Sequence, residues 1–246
     1  MSDSIIQVKK LDWDTEYFGV NCARMDLLFQ AGELELQEQL CALHGMDFIC
    51  ISNHNCNIEN NRLITSLTKA YTVDINIQFG KKIFPDLNEA IKPKSGTIAE
   101  DVYPFNSAVY DIAENDFCHS RFMTDKRLCA LGGQRIYTEW VKNSFSKKGK
   151  FFLVERVDDA TCGFALFSIS GDILVIELIG VSNKYQGLGV GKKLWHNIER
   201  EAALRGCTAI HVGTQLINRT ACNFYIRCGC HMASNTQIYH LWLGEH

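Results

Sequence analysis

A chain of 246 residues, 46% hydrophobic and 22% charged, has the make-up of an ordinary globular protein and can form one large domain or two small ones. Its net charge of -3 gives no reason to expect nucleic acid or an anionic membrane as a partner. No apolar run approaches membrane-spanning length, and the first residues carry neither a basic nor a hydrophobic signal region, so a cytoplasmic protein is expected.

In chain order, Ile5 to Val8 suits a short strand, and an aromatic and acidic cluster from Leu11 to Val20 reads as a packed loop around a buried Trp. Residues 33–43 space Leu36, Leu40 and Leu43 as a helix does. Residues 48–51 read as a buried strand, residues 58–70 as a helix, and residues 72–79 as an alternating, half-buried strand. Residues 81–96 hold two of the three prolines and little periodicity. A boundary placed there divides the chain into an αβ unit, residues 1–95, and a second domain, residues 96–246.

The second part predicts helices over residues 104–115 and 134–143, then strands over 151–154 and 162–167 joined by a turn at Asp158-Asp159. Residues 173–181 form a third strand, apolar nearly throughout except Glu177, as expected of a central strand buried on both faces. Residues 192–205 have an apolar helical stripe, residues 209–212 a further strand, and Asn218 fits the cap of a helix reaching about Cys228. Residues 237–243 supply the last strand. The eleven cysteines are odd in number and form no C-x-x-C pair, so they read as reduced and mostly buried.

Between the central strand and the helix lies Gln186-Gly187-Leu188-Gly189-Val190-Gly191. A glycine turn opening a helix leaves unpaired amides facing one spot, where the helix dipole favours an anion. It is no P-loop, because Lys192 is followed by Lys193 rather than Ser or Thr. It is no dinucleotide fingerprint either, because the spacing is G-x-G-x-G and no acid occurs between Glu201 and Glu245. From Lys184 to Arg227, seven basic residues stand against Glu199 and Glu201, which favours an anion on this face.

Gln186-x-x-Gly189-x-Gly191 after a buried strand, followed by Asn218, Ala221, Phe224-Tyr225 and Gly229, resembles the GCN5-related N-acetyltransferases from about residue 98 onward. A looser resemblance, carried by Trp13-Asp14, Tyr17-Phe18-Gly19-Val20-Asn21, Ser120-Arg121-Phe122 and Thr214-Gln215, is to the TDP-fucosamine acetyltransferases. The first resemblance implies an α/β fold whose mixed central sheet has two splayed strands, here residues 173–181 and 209–213. It implies acetyl-coenzyme A or another acyl-coenzyme A as co-substrate, and no metal. Main-chain groups of Ile179, Gly180 and Val181 would pair with the pantetheine arm. Gln186, Gly187, Leu188, Gly189, Val190, Gly191 and Lys192 would hold the pyrophosphate, with Asn218 and Ala221 nearby.

Tyr225 lies two helical turns after Asn218 and is the acid implied for the leaving sulfur. Glu177, the lone acid of the central strand, is the candidate base. A structural ion pair for Glu177, with water or His211 serving instead, stands beside that reading. For the acceptor, Arg121 suits a diphosphate, while Trp13, Tyr17, Phe18 and Gln215 are expected around the sugar. The reaction expected is acylation of the amine of a nucleotide-linked amino sugar. The alternatives are acetylation of an amino acid, peptide or antibiotic amine, and a non-catalytic acyl-coenzyme A sensor. Open strand edges suit a homodimer.

Overall fold

The computed structural model describes residues 5–84, 102–117 and 119–244. The boundary expected near residue 95 and two of the three prolines lie outside them. The elements in chain order are β1 (Ile6–Lys10), α1 (Asp12–Phe18), β2 (Cys22–Leu27), α2 (Glu33–Ala42), β3 (Phe48–His54), α3 (Ile58–Leu67) and β4 (Tyr71–Lys82). There follow α4 (Ser107–Asn115), α5 (Arg121–Thr124), α6 (Lys126–Ala130), α7 (Ile136–Ser144), β5 (Phe151–Val157), β6 (Ala160–Ser170) and β7 (Ile173–Val181). The chain closes with α8 (Val190–Leu204), β8 (Ala209–Gln215), α9 (Arg219–Arg227) and β9 (His231–Trp242).

The strands form one mixed sheet in the order β1-β2-β3-β9-β4-β8-β7-β6-β5. The β2–β3 and β7–β8 pairs are parallel and the other neighbours antiparallel. The last strand, β9, therefore lies between two strands from the first third of the chain. The β5–β6 hairpin turns at Asp158 and Asp159, whose φ values of 47° and 65° are those of the turn that matches strand twist.

Where the helical and strand periods were clean, the elements fall as the sequence predicts. The Trp13 cluster departs from expectation. It forms a two-turn helix, closed by Gly19 at φ 69°, and Trp13 is 41% exposed rather than buried. The one-sided packing of α1 explains the difference: Phe18 enters the core, and Trp13 and Tyr17 stay at the surface of the helix.

The main core packs β4–β8 against α4, α7, α8 and α9, with Phe152, Phe164, Phe167 and Leu194 fully enclosed. A second cluster fills the space between β1–β3 and α2 and α3. A third, containing Phe18, Cys22, Phe48, Leu128 and Ile238, joins α1 and α6 to β3 and β9. All described cysteines are free of disulfides; Cys22, Cys50, Cys162, Cys207 and Cys230 are buried, while Cys41 is exposed.

What positions the site is a break between β7 and β8. They pair only over Ile173–Ile176 and Ala209–Val212. At the next residue the β6–β7 register slips, from Leu166 opposite Leu178 to Phe167 opposite Ile176, leaving Glu177 as the extra residue of a bulge. Beyond it β7 follows β6 as far as Val181, whereas β8 follows β4 as far as Gln215. Among the described residues the facing edges of both strands are left without strand partners, which is the expected splay.

Candidate active site

The loop after β7 forms a short 3₁₀ turn at Asn183–Tyr185 and enters α8 through Gly187 and Gly189, at φ 78° and 80°. Both glycines occupy the left-handed region that other residues adopt only with strain, which accounts for the G-x-G spacing. Gly191 is different: its φ is not left-handed, and a Cβ there would meet the Phe224 ring at 3.4 Å, an ordinary contact, so neither strain nor packing demands glycine. Gln186 folds back, its Nε2 donating to Val181 O (3.2 Å) and Asn183 Oδ1 (2.8 Å), and ties the loop to the end of β7.

Gly189 caps α8 without any side-chain hydrogen bond, so the amides of Val190, Gly191 and Lys192 have no partner within the helix. Leu188 is 66% exposed beside them. The uncapped helix end lies next to the edge of β7 at Ile179–Val181 that no strand covers among the described residues, with Val181 O taken by Gln186. Groups of this kind bind an anion and an extended amide-bearing chain. The basic excess is smaller than the sequence suggests. Arg200 is buried beside Glu201, and Arg205 pairs with Glu201 and lies 4.1 Å from the Phe151 ring centroid.

On α9, Asn218 accepts from Ala221 N at 3.1 Å and so serves as the N-cap. Tyr225 faces inward, 3% exposed, with its ring against Phe79, Trp195 and Phe224. Burial pushes its phenol well above the ordinary value, and the nearby Cys230, Cys222 and Cys228 act in the same direction.

Glu177 projects from the bulge into a polar contact with α7 and the start of β5. Lys150 donates to its Oε1, and Trp140 Nε1 donates to its Oε2 at 3.2 Å. Lys150 and Trp140 also line a cavity of about 1010 Å³. Its walls include Trp13, Tyr17 and Arg121 from the expected acceptor set, together with Arg24 and Lys147. Asp14, Glu16 and Glu139 add carboxylates. Trp13 and Tyr17 stack with ring centroids 5.1 Å apart and planes 9° apart, and Tyr17 OH donates to Gly132 O at 2.8 Å.

Two expected acceptor residues are not among the lining. Phe18 is 4% exposed and packs on Phe122 inside the third core cluster. Gln215 ends β8 at the splay, its Nε2 donating to Tyr137 OH at 3.5 Å. Sequence reasoning missed Asp74, at a β4 irregularity near Arg121, whose carboxyl burial lifts to about 6. It also missed Lys150 and Trp140, which reach Glu177 only through the fold.

The sequence profile of the acetyltransferase (GNAT) family matches residues 107–230, 124 of the chain's 246. The chain belongs to the GNAT acetyltransferase family. The match takes in β7, the glycine loop, α8 and Tyr225. Among solved structures, a GCN5-related N-acetyltransferase from Sphaerobacter thermophilus aligns over 98% of this chain and 78% of its own, with TM-score 0.59 and 15% identity. A functionally unknown conserved protein from Staphylococcus epidermidis aligns over 98% and 92%, with TM-score 0.65 and 13% identity. At such identities these likenesses show the fold alone, which the first of them shares as a GCN5-related N-acetyltransferase.

Among curated proteins, the spore coat polysaccharide biosynthesis protein SpsD of Bacillus subtilis is 23% identical over 138 residues, 56% of this chain and 48% of SpsD. A human spermidine/spermine N(1)-acetyltransferase-like protein 1 is 29% identical over 115 residues, 42% of this chain and 16% of its own. The chain thus spans about half the length of one curated relative and less of the other.

Proposed function

We propose that this GNAT protein transfers an acetyl or longer acyl group from coenzyme A to the amine of a nucleotide-linked amino-dideoxy sugar, of the TDP-sugar type. The observation that carries the acceptor is the mixed lining of the cavity beside Glu177. A flat, stacked Trp13–Tyr17 pair suits a base or sugar ring. Arg24, Arg121, Lys147 and Lys150 suit a diphosphate, while Asp14, Glu16 and Glu139 suit an ammonium group before it loses its proton. An amino sugar on a nucleoside diphosphate carries all three features. Its size suits a cavity at the upper end of the roughly 300–1,000 Å³ usual for small-molecule sites. The polysaccharide-biosynthesis relative supports the same acceptor class.

In this reading the amine attacks the thioester carbonyl, the carbon–sulfur bond breaks, and the sulfur receives a proton. Free amides on the β7 edge and at the start of α8 hold the donor in the splay. Tyr225 donates the proton to the leaving sulfur. Glu177, on the strand beside the acceptor cavity, takes the amine proton directly or through water. Lys150 and Trp140 hold its carboxylate in place. Turnover of one member of a TDP-amino sugar panel with acetyl-coenzyme A is the expected result. Turnover of only amino acid, peptide or antibiotic amines overturns the acceptor, and turnover of no amine points to an acyl-coenzyme A sensor.

Glu177→Gln keeps the size of the side chain and its contact with Lys150 through the amide oxygen, but removes the base. We expect kcat to fall about 10- to 100-fold, less than a full general-base effect because water can replace the carboxylate. The loss should shrink as pH rises and more of the amine is already neutral. An equal loss at all pH values would make Glu177 a structural anchor for Lys150 instead.

A further inference from the structure

Arg121 lines the acceptor cavity, yet its side-chain hydrogen bond goes to an imidazole: Nη1 lies 3.0 Å from His240 Nε2. Behind it, His240 Nδ1 lies 2.6 Å from Asp125 Oδ2, and both residues are buried. The same Oδ2 is met by Tyr71 OH at 2.9 Å and Trp242 Nε1 at 3.1 Å, while Oδ1 accepts from Arg127 N and Leu128 N at 2.9 and 3.2 Å. An indole and two backbone amides can only donate, so both oxygens of Asp125 act as acceptors, as those of an ionised carboxylate do.

A guanidinium also only donates. His240 Nε2 must then present its lone pair to Arg121, and the ring proton must sit on Nδ1, pointing at Asp125. Protonation of Nε2 would set two donors against each other. The surroundings agree. Burial and the Arg121 charge lower the His240 pKa to about 4 even though Asp125 opposes them. Hydrogen bonds from His240, Trp242 and Tyr71 outweigh burial and hold Asp125 below the usual carboxylate range. Asp14 and Asp74 face Arg121 from α1 and β4, and the Phe48 and Tyr71 rings flank His240.

We infer that Asp125 and His240 form a positioning relay that locks Arg121 into one orientation in the cavity, with its remaining N–H groups presented to the diphosphate of the acceptor. Neutral His240 holds Arg121 without adding a further carboxylate to Asp14 and Asp74, which already face the guanidinium. The inference rests on the nucleotide-sugar reading for its ligand, but not for the relay itself. His240 and Asp125 touch no reacting atom, so their effect is on acceptor binding and not on the chemical step.

Two measurements test it. Nitrogen NMR of the full chain should show His240 neutral and protonated on Nδ1 from pH 5 to 8; the Nε2–H form, or protonation near pH 6.5, overturns the relay whatever the acceptor. Calorimetry with TDP as probe then reads the ligand. His240→Phe and Arg121→Met should each weaken TDP roughly 10- to 100-fold, with acetyl-coenzyme A affinity unchanged. The double variant should be no weaker than Arg121→Met alone. His240→Gln, whose amide oxygen can accept from Arg121, should recover part of the loss; it also serves if the Phe variant does not fold. Additive losses, or His240→Phe and His240→Gln at wild-type TDP affinity, overturn the relay. Wild-type protein that holds the Nδ1–H tautomer but does not bind TDP overturns the diphosphate as ligand of Arg121, and the nucleotide-sugar acceptor with it.

Discussion

Replacing Tyr225 with Phe is expected to lower kcat roughly 10²- to 10³-fold while leaving the KM for acetyl-coenzyme A within a few-fold of wild type. The substitution keeps the ring and its contacts with Phe79, Trp195 and Phe224, and removes one oxygen. The size follows from the proton: expelling a thiolate in an enclosed site is slow when no donor meets the developing charge. The raised phenol pKa gives the sign of the pH dependence. Burial favours the neutral form, so Tyr225 stays protonated below its ordinary value of 10 and is a proton donor, never a base, across the physiological range. The rate should therefore rise with pH as the acceptor amine deprotonates. No alkaline fall from Tyr225 should appear below about pH 10. Tyr225→Phe should show the same curve at a lower height. Steady-state kinetics from pH 6 to 9.5 checks both statements, and a variant with wild-type kcat removes Tyr225 from the chemistry.

That proposal was legible because its residues lie close in sequence. β7, the glycine loop and α8 run consecutively, and Asn218 to Tyr225 is two turns of one helix, so local patterns carried the donor side. The bulge at Glu177 was not legible, since it is a relation between β6 and β7 and leaves no mark in β7 alone. β2 also escaped notice. Its Cys22-Ala23-Arg24-Met25-Asp26-Leu27 mixes charges into a strand whose apolar face is supplied by its place beside β3. α1 was misread because its acidic and aromatic residues have no clean period; a seven-residue helix buries chiefly Phe18. The acceptor side suffered most, because its parts meet only after β9 returns between β3 and β4. Asp125 and His240 are 115 residues apart, and no spacing rule joins them.

The same pair should dominate the stability of the acceptor side. Asp125→Ala is expected to cost about 3–5 kcal/mol, the range for removing one partner of a buried charged network. Five donors would lose their acceptor at once: the first-turn amides of α6 at Arg127 and Leu128, and the side chains of Tyr71, His240 and Trp242. Asp125→Asn should be milder yet still clearly destabilising. Whichever way its amide turns, the NH₂ group faces either the helix amides or the Tyr71–His240–Trp242 trio, and both sets donate. Acid should reproduce the effect in the wild type. His240 is depressed from 6.5 to about 4, so the unfolded chain takes up that proton first, and stability declines as pH falls from about 6.5 toward 4. Asp125 is depressed below 3.8, so its contribution is present above that pH and is lost on further acidification. The gap between wild type and Asp125→Ala should consequently hold from neutrality down to about pH 4 and narrow below it. Urea unfolding at pH 7.5, 5.5 and 3.5 measures it, and a variant within 1 kcal/mol of wild type at pH 7.5 would show that the network does not hold α6 to β9.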